Sequence, residues 1–316
     1  MANPAARLNF GGMIFRCCVA IETGSGHDWQ TRLLTPVKEV AVLMIKFAIT
    51  ASLVEQARGG PFVYWESLDQ VFPAVQKLGY DAVEIFAPSS DAVDRAELRS
   101  LIAQTGLQVA AVGTGAGMVV HQLHLCDADS LRRDQALQFI REMIDFGAEF
   151  NAPAIIGSMQ GRFTPVEGRG PALERLTDAL KTLGAYATQK NVPLIYEPLN
   201  RYETNLFNRL ADAARYLESE QIENVLLLAD LFHMNIEEQN LADALRAAGK
   251  YVGHIHFVDS NRQAAGFGHM DFAPIVQALR EIGYNRYISA EAFPIPSTTI
   301  CAEQTIKRYN ELFRAT

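Results

Sequence analysis

Four side chains suited to holding a divalent cation recur along this chain at nearly even intervals. Glu197 lies in "VPLIYEP", Asp230 closes "ENVLLLAD", His256 lies in "VGHIHFV" and Glu291 in "YISAEA", with spacings of 33, 26 and 35 residues. Three carboxylates around one imidazole form a hard, oxygen-rich donor set, matched to Mn2+, Mg2+ or Co2+ more than to a thiolate-seeking metal. Any one of the four alone reads as well as a loop cap, an ion-pair partner or a satisfied core histidine. Four in register favour a metal site, because a carboxylate buried without a partner or cation is prohibitively costly.

The stretches that carry them are short apolar runs, and they belong to a longer series. Strand candidates are "KFAIT" (46–50), "DAVEIF" (81–86), "LQVAAVG" (107–113), "PAIIGS" (153–158), "VPLIYEP" (192–198), "ENVLLLAD" (223–230), "VGHIHFV" (252–258) and "YISAEA" (287–292). Between them run helical stripes such as Leu68, Val71, Phe72, Val75 and Leu78, or Leu173, Leu176, Leu180 and Leu183. Gly79, Gly106 and Gly283 stand where helices need left-handed stops. Eight alternations at this spacing predict an α/β fold, a parallel sheet with right-handed crossovers closed into a (β/α)8 TIM barrel. An open doubly wound sheet is disfavoured, since "GTGAG" at 113–117 is too short a match to a dinucleotide fingerprint.

In such a barrel the chemistry gathers where strands end at their C-terminal edge. Alternation puts Ile195 and Glu197, Leu226, Leu228 and Asp230, His254 and His256, and Ser289 and Glu291 on the inward face, with Tyr196, Ala229, Ile255 and Ala290 facing the helices. His254 then lies about 6.6 Å below His256 by strand rise, as a support and not a ligand. Glu84 near the end of the second strand could face the mouth but reads more readily as a structural carboxylate. Arg162 after the fourth reads as a carboxylate or phosphate clamp or a solvent-facing loop residue. Phe62, Tyr64 and Trp65 after the first could wall or cover a ligand.

The stretches "EPLNRYE" (197–203), "DLFHMNIEE" (230–238) and "HIHFVDSNR" (254–262) resemble the motifs of the xylose-isomerase-like barrel superfamily, in the sugar-epimerase branch of D-tagatose, D-psicose and keto-gluconate epimerases. The resemblance runs from Met44 to the C-terminus. It implies that Glu197, Asp230, His256 and Glu291 hold one divalent metal, Mn2+ first, with Co2+ or Mg2+ as substitutes. It implies that Glu203, His233 and Arg262 contact sugar hydroxyls and carbonyl, and that the protein is a homo-oligomer, a dimer or tetramer. A metal on a ketone and its neighbouring hydroxyl acidifies the C–H between them, so Glu197 and Glu291 are the catalytic candidates for removing and returning a proton through a cis-enediolate. The activity implied is inversion of the carbon beside the keto group of a ketose or keto-sugar acid. Hydroxypyruvate-type or aldose-ketose isomerases and inosose-type dehydratases resemble the chain in the same motifs. A zinc repair endonuclease shares the barrel, and "GHMD" offers His269 and Asp271. That family also takes histidines from strands two and three, where this chain has only the later His121 and His124.

Composition agrees with a small-molecule enzyme. The chain has 316 residues, 49% hydrophobic and 20% charged, with net charge -8. Its Lys and Arg residues are scattered, so nucleic acid is not an expected partner. No apolar run reaches the roughly 18 residues a membrane span needs. Cys17, Cys18, Cys126 and Cys301 have neither disulfide-framework density nor metal spacing, which fits a reducing, cytoplasmic setting. Residues 1–43 lack a sustained period and read as a loosely ordered N-terminal extension to a catalytic barrel spanning 44–316, and Met44 could itself be the start.

Overall fold

The computed structural model describes residues 45–314. The expectations for residues 1–43, Cys17 and Cys18 among them, lie outside that range. Strands β1 (Lys46–Ser52), β2 (Ala82–Phe86), β3 (Gln108–Gly113), β4 (Ala154–Ile156), β5 (Leu194–Tyr196), β6 (Val225–Asp230), β7 (Val252–His256) and β8 (Tyr287–Ala290) close into a barrel in sequence order. Every adjacent pair is parallel, and β8 returns to β1 through Phe47 opposite Ile288 and Ile49 opposite Ala290. All eight expected strands are present.

The principal crossover helices are α1 (Leu68–Leu78), α2 (Arg95–Thr105), α4 (Ser130–Ala148), α5 (Arg169–Gln189), α6 (Leu210–Ser219), α8 (Leu241–Ala248), α9 (Ala273–Glu281) and α10 (Thr298–Tyr309). Two short helices, α3 (Ala116–His121) and α7 (Leu231–Glu237), sit directly after β3 and β6 at the mouth. Local chemistry explains several ends. Asp94 caps α2 by accepting from the backbone N–H of Ala96 and Glu97, and Asn240 caps α8 through Asp243. Gly79 and Gly106 stop α1 and α2 at φ 87° and 74°, where a Cβ would be strained.

Strand alternation divides the core in two. Tyr196, Ala229, Ile255 and Ala290 join the large cluster between sheet and helices, with the α1 stripe of Leu68, Val71, Phe72 and Val75. Inside the barrel, Ala111, Ile155, Ile195 and Leu228 pack with Leu226, while Ala48, Ala82 and Ala110 fill the floor with Tyr287. Truncating a fully buried side chain of the outer layer, such as Phe72, should cost about 3–5 kcal/mol. The inner plug is thin, and polar side chains occupy the level above it.

Candidate active site

Glu197 and Glu291 come one residue after β5 and β8, while Asp230 and His256 are the last residues of β6 and β7. Sheet register fixes their level, since Asp230 pairs with His256 and His256 with Ser289. His256 Nδ1 lies 3.3 Å from Asp230 Oδ2, 3.6 Å from Glu291 Oε2 and 3.8 Å from Glu197 Oε1. The four residues anticipated as one donor set are therefore brought together around a single imidazole nitrogen.

Each is held by its local structure. Glu197 N–H donates to Ile156 O at 2.9 Å, and the buried Gln160 amide donates to Glu197 O at 2.8 Å while accepting from the Tyr196 hydroxyl. Asp230 divides its carboxylate: Oδ1 caps α7 by accepting from Phe232 and His233 N–H at 2.7 and 3.2 Å, which leaves Oδ2 facing His256. No loop separates strand from helix, so the cap and the site are one side chain. Gly157 faces Glu197 so closely that a Cβ there would lie 2.6 Å from Oε2.

The four side chains share one buried network of opposing charges. Burial pushes the Glu197 carboxyl well above the usual range, the His256 charge opposes this, and Glu291 and Asp230 add to the rise. Burial would also raise Asp230, but His233, His256 and Arg262 outweigh it and hold that carboxyl below the usual range. For His256, burial favours the neutral ring, yet the Glu84, Glu291 and Asp230 carboxylates push it well above its ordinary value. Glu197 Oε1 and His233 Nε2 are buried with no hydrogen-bond partner. A divalent ion fits this donor set: three carboxylates converge on one imidazole nitrogen, and one carboxylate oxygen is otherwise orphaned.

The residues implied as sugar contacts line the same cavity of about 330 Å3. Asn200 Nδ2 lies 2.7 Å from His233 Nδ1 and donates to Glu203 Oε1 at 3.0 Å. With Nδ1 accepting, His233 carries its proton on Nε2, aimed inward. Burial depresses the His233 pKa and Asp230 opposes this. Arg262 enters from the loop after β7 with φ 59°, pairs with Glu291 and lies 5.0 Å over the Phe232 ring. Its Nε is buried and unpartnered.

Sequence reasoning missed part of the site. Glu84, read as a structural carboxylate, lines the cavity and touches both His254 and His256 at 2.7 and 3.0 Å. Its signal was available, as a carboxylate flanked by the outward Val83 and Ile85 must point into the barrel. Phe86 was also missed; it stacks on Phe62 at 4.6 Å between ring centroids, and a Cβ at Gly113 or Gly115 would come within 2.5 or 2.9 Å of it. The glycine run "GTGAG" thus makes room for an apolar wall, not a dinucleotide. Phe62 lines the cavity, Trp65 packs edge-on behind it, and Tyr64 is buried away from the cavity lining.

Arg162 lies outside this cavity's lining and donates to Tyr202 O at 3.3 Å. The endonuclease candidates also disperse: His121 is exposed at the end of α3, His124 faces Asp127 at 3.6 Å, and the exposed His269 contacts Ser260 at 2.8 Å. Cys126 and Cys301 are buried and unbridged, and no described helix is long and apolar enough to cross a membrane.

A family profile described as xylose isomerase-like TIM barrel matches residues 72–309. The chain is 30% identical over 234 residues to the 3-dehydro-D-guloside 4-epimerase of Escherichia coli K12, covering 72% of this chain and 87% of that protein. It is 27% identical over 259 residues to the D-psicose 3-epimerase of Agrobacterium fabrum, covering 78% and 88%. The apo crystal structure of the 3-keto-D-glucoside 4-epimerase from E. coli superposes with TM-score 0.70 at 25% identity, over 84% of this chain and 99% of that one. The chain belongs to the xylose isomerase-like TIM barrel family, in its sugar-epimerase branch.

Proposed function

We propose that this protein is a divalent-metal-dependent epimerase that inverts the carbon beside the keto group of a ketose or keto-sugar acid through a cis-enediolate. The observation that carries the reading is the convergence of Glu197, Asp230 and Glu291 on His256 Nδ1 at the floor of a sugar-sized cavity. A cation held by those four, with Mn2+ the first choice, would act as a Lewis acid towards the keto oxygen and its neighbouring hydroxyl.

The remaining work falls to side chains. Glu197 and Glu291 stand three strands apart around the ring. One carboxylate removes the proton from the carbon, and the other returns a proton on the opposite face. The inward Nε2–H of His233 and the unpartnered Nε of Arg262 supply donors to substrate oxygens, and Glu203, tethered by Asn200, supplies an acceptor. Ala57, Pro61, Phe62, Phe86, Val119 and Leu199 form an apolar wall that keeps bulk water from the reacting carbon.

Arg262 is the one Lys or Arg among the described lining residues, and it is already paired with Glu291. That charge balance favours neutral ketoses over phosphates, with keto-acids between them. A homo-oligomer in the cytoplasm completes the reading, the location resting on the unbridged buried cysteines. The test is a panel of ketoses, keto-acids and their phosphates, each assayed with Mn2+, Co2+ and Mg2+. Epimerised product from an unphosphorylated sugar, dependent on added metal, is expected. Metal-independent turnover, or conversion confined to phosphates, contradicts the proposal.

A further inference from the structure

Directly beneath the four convergent donors, Glu84 reaches from β2 across the barrel to β7. Its two oxygens have separate partners: Oε2 lies 2.7 Å from His254 Nε2 and Oε1 lies 3.0 Å from His256 Nε2. All three side chains are buried, Glu84 at 5% exposure and each histidine at 1%, so no solvent competes for these contacts. Carboxylate oxygens accept, so these two contacts place a proton on each Nε2. In His256 that leaves Nδ1, the atom facing Asp230, Glu291 and Glu197, as the one able to offer a lone pair.

We propose that Glu84 is the positioning residue of this centre: it fixes His256 as the Nε2–H tautomer with Nδ1 aimed at the metal, and His254 holds Glu84 in place. The inference rests on the metal reading of Glu197, Asp230, His256 and Glu291. Glu84, His254 and His256 are themselves spaced closely enough to hold an ion; the pairing of each carboxylate oxygen with its own Nε2, at 2.7 and 3.0 Å, favours the positioning role. The arrangement also accounts for two histidines placed two residues apart on one strand, one to ligate and one to anchor the carboxylate that orients it.

Glu84→Gln keeps the shape of the side chain but can no longer accept from both histidines. Where its amide NH2 faces His256, Nε2 must surrender its proton, and the ring moves it to Nδ1. Metal affinity should then fall about 10–100-fold. Two measurements on the full chain test this. Calorimetric titration with Mn2+ compares native protein, Glu84→Gln, His254→Gln and His254→Leu. The expected order is native and His254→Gln within about threefold, since the glutamine amide can donate in place of Nε2–H. His254→Leu should be weaker, and Glu84→Gln weakest.

The second measurement is 15N NMR of histidine-labelled protein loaded with Mg2+, expected to show His256 protonated at Nε2 and metal-bound at Nδ1. This readout keeps the proposal testable even if Glu84→Gln does not fold. His256 bound through Nε2, or unchanged Mn2+ affinity in a folded Glu84→Gln, overturns the positioning role while leaving the metal reading intact. Failure of the native protein to bind metal overturns both.

Discussion

Replacing Gly157 with alanine perturbs the proposed centre without replacing any of its ligands. The added Cβ would lie 2.6 Å from Glu197 Oε2, whereas ordinary contact begins at 3.4 Å. The carboxylate must therefore retreat by about 0.8 Å or the strand end must shift. The backbone at Glu197 is pinned by Ile156 O and by Gln160. The side chain itself must give, and displacement of a reacting group by about 1 Å costs on the order of 100-fold in rate. A 100-fold loss corresponds to about 2.7 kcal/mol of transition-state stabilisation. The assay is steady-state epimerisation at saturating Mn2+ with the sugar the native protein turns over best, together with a thermal melt. We expect kcat to fall about 100-fold with Tm little changed, because the Cβ meets only the Glu197 carboxylate within 4 Å. A folded Gly157→Ala protein with kcat within threefold of native would refute the placement of Glu197 as a group whose position governs the chemistry.

Three further outcomes are expected. Glu197→Gln and Glu291→Gln should each lower turnover by about 100- to 10,000-fold, the range for a lost acid or base, with an unchanged circular dichroism spectrum; near-normal activity in either would contradict the two-carboxylate mechanism. Chelation by EDTA should abolish turnover, and Mn2+ restored at 100 times its Kd should raise stability by about 2.7 kcal/mol, read as a higher Tm. Asp259 concerns the loop that carries Arg262: its buried carboxylate accepts from the N–H of Ser260, Gly266 and Met270 at 2.8, 2.8 and 3.1 Å. Burial alone would raise its pKa, but these backbone donors lower it. Its contribution to stability is therefore complete above the unfolded value of about 3.9 and is lost as pH falls from there through the folded value. Asp259→Asn should cost about 1–3 kcal/mol at pH 7 and show a smaller loss of stability than native protein between pH 5 and the acid limit, both read from urea melts.

The barrel was legible because its periodicities are simple. Runs such as "ENVLLLAD" end on the residue that matters, and strand rise within "VGHIHFV" already separated His256 at the rim from His254 below. What the sequence concealed depends on contacts across the barrel. Glu84 and His256 are 172 residues apart and meet only when the ring closes. The role of Gly157 is likewise invisible without Glu197 beside it, and that of "GTGAG" without Phe86. Asp230 also hid a second duty, since its helix-capping oxygen appears only once β6 is seen to run straight into α7. Arg162 illustrates the reverse: its position after β4 suggested a clamp, but the chain turns it towards Tyr202.

The most direct test of the account is turnover in D2O with the metal-loaded protein and its best ketose, followed by NMR of the product. Proton removal and return by Glu197 and Glu291 predicts one deuterium at the inverted carbon, with the carbonyl unmoved and no water lost. Inversion without deuterium uptake, or deuterium uptake accompanied by carbonyl migration, would contradict it.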